Sequence, residues 1–281
     1  MSQPKSIRMS RSVTSTLLST IEIMESVLFA LPMRDLLLAQ RVCKQWQQLI
    51  TQSPQLQRKL FLRPSPSSEA EPEFNDLLME VFPPLFRFDA FENRFQLARF
   101  SDLKKLLWFQ DEARRDSVLN PIASWRYMFP VQPPAKLDKI IQRTHAMGGD
   151  SESSGELASD LQEDQSDGVR MGLLYDVLFG FLMKDSARAG ANELFIRWHM
   201  VPIEENVKHF NTLMLQNVQA EYGGADIENK ITVYAWRTVS CVQGGVDEPS
   251  GLVVKGGKYS NRVLVEFQPC KVHVLHPSYL Y

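Results

Sequence analysis

Apolar and polar positions over residues 20–61 recur at helical spacing and break at residues that start or stop helices. Ser19 and Glu22 stand in S-x-x-E spacing, so that the serine caps a first helix over 20–30 while Glu22 reaches back to the Ser19 backbone. Leu18 and Ile23 fall at the positions of a hydrophobic staple, and Ile23, Val27, Leu28 and Leu31 form one apolar stripe. Pro32 suits the first turn of a second helix, where its missing N–H costs nothing, and Asp35 in the same turn complements the helix dipole. Leu36, Leu37, Leu38 and Val42 are too many apolar positions for one narrow stripe. A third helix carries Trp46, Leu49 and Ile50, and Ser53-Pro54 opens a short fourth one with Leu56, Leu60 and Phe61.

Residues 62–75, rich in Pro, Ser and Glu, read as a linker. Beyond them the pattern is mixed. Residues 86–88 read as a short strand, and residues 102–115 as one helix with Leu103, Leu106 and Leu107 facing inward. The segment NPIASWRYMFPVQPP (120–134) sets Trp125, Tyr127, Met128 and Phe129 between prolines, and core packing is the favoured role for such aromatics over a binding groove. Residues 146–167 hold seven acids and no Lys or Arg, the composition of a disordered acidic loop in which Ser151, Ser153, Ser154 and Ser159 lie among the acids. Apolar helices are expected over 173–183 and 204–219. Strands are expected over 194–201, 231–242, 263–267 and 271–275, with turns at Gly244-Gly245 and Gly256-Gly257. The 76–281 region therefore reads as one α+β domain. It lacks the 20–50-residue self-similarity of propellers and leucine-rich repeats.

Charge divides the chain at the same place. Across 281 residues, 31 Lys and Arg stand against 33 Asp and Glu, a balance that argues against a general nucleic-acid binder. Yet residues 1–64 carry nine basic and three acidic side chains, a net of +6, which leaves −8 for the remainder. The first 21 residues are basic and Ser/Thr-rich. That is also the composition of a mitochondrial transit peptide, but the segment runs directly into a structured motif and is read as a disordered basic tail over 1–17. No apolar run reaches the ~18 residues of a membrane helix. Cys43, Cys241 and Cys270 form no CxxC pair or disulfide framework, which favours a reducing compartment, the cytoplasm or nucleus.

A helical unit of this size seldom folds alone without a metal, disulfides or a partner. Its second and third helices are apolar on more than one side, and either a partner or the rest of the chain would cover the excess. The run TIEIMESVLFALPMRDLLLAQRVCKQWQQLITQSPQLQRKLF resembles an F-box through Glu22-Ile23, Val27-Leu28, Leu31-Pro32, Asp35-Leu36-Leu37, Val42-Cys43-Lys44, Trp46 and Leu49, with wording closest to F-box proteins of filamentous fungi. It departs where the family opens with Leu-Pro, here Ser19 and Thr20. The 120–134 segment and GVRMGLLYDVLF (168–179) resemble segments downstream of the F-box in such proteins, without bringing an activity.

The resemblance implies an F-box at 18–61 that docks on the Skp adaptor of Skp–cullin–F-box (SCF) ubiquitin ligases, and through it the cullin. The remainder would recruit a protein substrate for ubiquitination and proteasomal degradation. The implied adaptor-contacting set is Leu31, Pro32, Leu36, Leu37, Val42, Cys43, Trp46, Leu49 and Ile50, some of which must instead form the internal core. An adaptor-bound scaffold outside the ligase shares the same F-box. An enzyme in residues 76–281 is supported only by that region's size. GxSxG and GxGxxG are absent, and Gly256-Gly257-Lys258 fails as a phosphate loop because Leu252 and Tyr259 replace the required residues. Cys270 and His273 point to opposite faces of a strand, which argues against a metal site with His276. His199 and His209 read as ordinary structural or surface residues. The expected protein is therefore non-catalytic, without cofactor or metal, and binds neither nucleic acid nor membrane.

Overall fold

The computed structural model describes residues 21–65, 71–86, 98–146, 149–158, 165–183, 192–200, 229–238, 252–254, 263–267 and 271–273. The chain divides into two compact units, Met1–Arg63 and Pro64–Tyr281.

The first unit contains α1 (Ile21–Ala30), α2 (Met33–Ala39), α3 (Lys44–Gln52) and α4 (Pro54–Lys59). Pro32 is the N-cap of α2, one position before its expected place, and Cys43 is the N-cap of α3 in extended conformation. Ser53 ends α3 and starts α4, its hydroxyl accepting the Leu56 N–H at 3.2 Å, so one residue makes the corner between two helices. Residues 18–20, and with them the expected capping box and staple, lie outside the described residues.

The second unit is built on an eight-stranded mixed sheet. Its strands are β2 (Ala98–Arg99), β4 (Lys136–Ala146), β5 (Gly149–Leu157), β6 (Asn192–Trp198), β7 (Lys230–Thr238), β8 (Leu252–Val254), β9 (Val263–Phe267) and β10 (Lys271–His273). The order is β2-β6-β7-β4-β5-β9-β8, with β10 beside β9 on the far edge of β5. β4 and β7 run parallel; the other pairings are antiparallel. β7 is buried on both faces over residues 231–235, which fits its continuous apolar and β-branched run ITVYA. A second, two-stranded sheet pairs β1 (Glu73–Phe74) with β3 (Val131–Gln132). Helix α9 (Met171–Met183) packs against β6, β8 and β9 and against a 3-10 turn at Ser124–Tyr127.

Four expectations are corrected here. First, the linker ends early: Glu73 and Phe74 are paired in β1, and fully buried Asn75 caps α5 (Asp76–Val81), its side chain accepting the Leu78 N–H at 3.2 Å. Second, the single helix over 102–115 is three: α6 (Phe100–Lys104), α7 (Leu107–Gln110) and α8 (Glu112–Val118). Leu106 and Asp111 are extended, and the Asp111 carboxylate accepts the Arg114 N–H at 2.7 Å and starts a new helix. Leu107, expected to face inward, is 78% exposed.

Third, Phe86 follows a 3-10 turn at Pro83–Leu85 rather than starting a strand, and residues 87–88 are not described. Fourth, much of the expected acidic loop is strand β5, in hairpin pairing with β4. The Glu152 carboxylate accepts from the Arg143 guanidinium directly across the ladder at 2.5 Å, Lys271 sits opposite Glu152 on the other side, and Ser153 and Leu157 are buried. The cross-strand Arg143 thus neutralises part of the acidity that solvent was expected to bear.

The 120–134 segment is core, with Trp125, Met128 and Phe129 buried. Phe82 meets Trp125 at 4.7 Å between ring centroids, and Trp125 meets Tyr175 of α9 at 5.3 Å, both edge to face. Tyr127 alone of that cluster faces outward. The helix expected at 204–219 and both Gly-Gly turns lie outside the described residues.

Candidate functional site

The helices of the first unit close around Met24, Leu28, Leu36, Ala39, Ile50, Leu56 and Leu60. α1 lies against α2, α3 and α4. It contributes Met24 and Leu28, four residues apart and therefore on one face. Each fully buried Leu or Ile here contributes roughly 1.5–3 kcal/mol. Polar ties reinforce the packing: the Ser53 hydroxyl donates to the Glu25 carboxylate, and the Lys59 ammonium donates to the Phe29 carbonyl while lying 4.8 Å from the Phe29 ring centroid. Gln57 Nε2 donates to the Ile50 carbonyl at 2.7 Å. Phe61, with φ of 56°, takes the left-handed turn after α4 while its ring is buried, so burial outweighs a backbone strain of order 1–2 kcal/mol.

The nine residues that the F-box resemblance implicates separate into three groups. Leu36 and Ile50 are fully buried and belong to the internal core. Leu31, Leu37, Trp46 and Leu49 are half-buried against that core, each with a remaining outward edge. Pro32, Val42 and Cys43 are exposed; Val42 is 64% exposed, and Cys43 is a free cysteine. Leu38, 51% exposed, joins Val42 where α2 runs into the turn before α3. Arg34, Arg41 and Lys44, close to them in sequence, are also exposed.

Leu38 is absent from the implicated set. Its signal was the Leu36-Leu37-Leu38 triplet: with Leu36 inward, a residue two positions on points to the opposite side of a helix. Of the expected stripe on α1, Leu28 is buried in the core and Leu31 packs against it, but Ile23 and Val27 do not. Ile23 and Val27 are 40% and 45% exposed, while Met24 and Leu28 face the core. Ile21 and Phe29 are exposed too, so α1 presents apolar surface outside its packed face.

Of the chemically suggestive residues in the second unit, only His199 and His273 are described. His273 is on β10 opposite Asp150, while Cys270, His276 and His209 lie outside the described residues. His199 Nε2 is 2.9 Å from Thr232 Oγ1. Among the described residues no group of His, Cys, Asp and Glu is placed to hold a metal. Burial lowers the pKa of Arg197, opposed by the nearby Tyr234. Among the described residues no helix is long and apolar enough to cross a membrane.

Residues 21–63 match the family model of the F-box-like domain, and the match stops at the boundary of the first compact unit. The first unit is an F-box-like domain. Proteins of this kind use the domain to bind Skp-type adaptors of SCF complexes, and a mixed α/β region follows it here. No curated protein and no solved structure matches the chain.

Proposed function

We propose that the F-box-like domain docks on a Skp-type adaptor through the strip of Pro32, Leu38, Val42 and Cys43, edged by Leu31, Leu37, Trp46 and Leu49, and that the sheet unit brings a protein substrate to an SCF ubiquitin ligase. The observation that carries this reading is the match at residues 21–63 together with apolar side chains left outside that unit's own core. Apolar side chains seated in a partner's pockets supply most binding energy, whereas the nearby Arg34, Arg41 and Lys44 speed encounter with an acidic surface. The protein does no chemistry of its own on this reading. It acts by raising the effective concentration of substrate near the ubiquitin-charged enzyme, leading to proteasomal degradation, in the cytoplasm or nucleus.

The test is recovery of adaptor and cullin with the intact chain and with Leu38→Asp/Val42→Asp. Intact protein should bring down both, and the variant, still folded, should bring down neither. Normal adaptor binding by the variant, or none by the intact protein, sinks the interface. Adaptor without cullin supports the scaffold reading instead. Leu36 is unsuited to this experiment, because its truncation tests folding rather than contact.

A further inference from the structure

The outer side of α1 takes no part in the strip proposed for the adaptor. Ile23 and Val27, one helical turn apart, are 40% and 45% exposed, although Met24 and Leu28, one position on, are enclosed. Ile21 and Phe29, near the two ends of the helix, are exposed as well. The charge in their company also differs from that of the strip. Residues 1–64 hold three acids, and two of them, Glu22 and Glu25, are on α1, which carries no base. Leu38 and Val42 instead have Arg34, Arg41 and Lys44 close to them in sequence. An acidic occupant suited to those bases is unsuited to α1, and a basic one is suited to it.

A basic and apolar occupant is attached to the helix itself. Residues 1–20 lead directly into Ile21 and hold Lys5, Arg8 and Arg11, no acid, and Met9, Val13 and Leu17 at every fourth position. Leu18 stands at staple distance from Ile23, a spacing that fixes how a chain enters a helix and sets that entry on the Ile23 side. Reach is not limiting. The ten residues of α1 make a helix about 15 Å long, and about five residues of extended chain span as much. Because the segment is tethered, its effective concentration is in the millimolar range, and a weak contact is enough to hold it.

We propose that residues 5–18 bind back onto the outer side of α1, setting their apolar positions against Ile23 and Val27 and their bases near Glu22 and Glu25. The contact does not depend on the adaptor reading. The test follows tryptic cleavage after Arg8 and Arg11 in the full chain, in Ile23→Ser/Val27→Ser and in a free peptide of residues 1–20. The intact chain should be cut about tenfold more slowly than the peptide, since cleavage tracks the population of the open form. That rate should rise with salt and be independent of protein concentration. The double variant should be cut as fast as the peptide and bind adaptor as the intact chain does. Glu22→Lys, which leaves both apolar positions in place, should raise the rate about threefold. Cleavage of the intact chain at the peptide's rate overturns the proposal, and so does equal protection of the chain and both variants. Protection that grows with protein concentration assigns the face to a second copy, and adaptor binding lost in the double variant assigns it to the adaptor; either result overturns the proposal too.

Discussion

The two units use apolar residues in opposite ways. In the sheet unit α9 is buried almost all round and β7 on both faces, so that the most apolar elements are the most enclosed. In the F-box-like unit Leu28 and Leu36 are enclosed, while Ile23, Val27, Leu38 and Val42 stand in solvent beside them. A small helical unit has too little volume to enclose all its apolar side chains, and one that retains the surplus exposes a surface suited to a partner. Apolar content alone therefore does not separate core from contact; the direction each side chain leaves its helix does.

The widest test of this contrast is truncation of the enclosed residues. Tyr175→Ala should cost about 3–5 kcal/mol and Leu28→Ala about 3 kcal/mol. Each loss should appear in the unfolding of its own unit by urea titration, followed by hydrogen exchange. A single shared transition would show that the units are not separate in stability. Next, Gly172→Ala should cost about 1–3 kcal/mol by pushing α9 from the Arg126 backbone, and an unchanged midpoint would contradict that close approach. Ser53→Ala should remove about 1 kcal/mol from the helical unit, through loss of both the α4 cap and the Glu25 contact, read by calorimetry. Val42→Ser should change stability by less than about 0.5 kcal/mol while weakening adaptor recovery. The smallest effect is expected for Arg99→Ala, which removes the ion pair of exposed Arg99 to half-buried Glu193 and should alter stability by no more than about 0.5 kcal/mol, screened by salt.

The helical unit was largely legible because its punctuation is local: Pro32, Ser53 and Pro54 act on their own neighbours. What misled was Ile23/Val27, which were expected inward beside Leu28 while Met24 was not: both pairs, Ile23/Val27 and Met24/Leu28, have i, i+4 spacing, and periodicity cannot say which faces inward. The division of Leu36 from Leu38 needed the packed neighbours for the same reason. In the sheet unit, β7, β9 and α9 showed in their apolar runs, whereas β4 (KLDKIIQRTHA) lay in a stretch given no element and β5 (GDSESSGEL) read as part of an acidic loop. Those two become strands because each supplies the other's partners, as Arg143 does for Glu152, and such pairing is invisible to any window along one segment. Asp111 was a missed cap, legible in principle from an acid followed by a helix-forming run.

The parallel pairing of β4 with β7 also bears on how the chain is made. β4 ends at Ala146, but its partner is complete only at Thr238. During synthesis at ~5–20 residues per second, that interval lasts roughly 5–20 s. Throughout it both edges of the β4–β5 hairpin lack strands to pair with, since β5 awaits β9 and β10, and an unpaired edge invites other chains. The F-box-like unit is already complete by Arg63. Nascent chains therefore display the surface proposed for docking well before the sheet is closed, and the period of greatest aggregation risk falls between these two events.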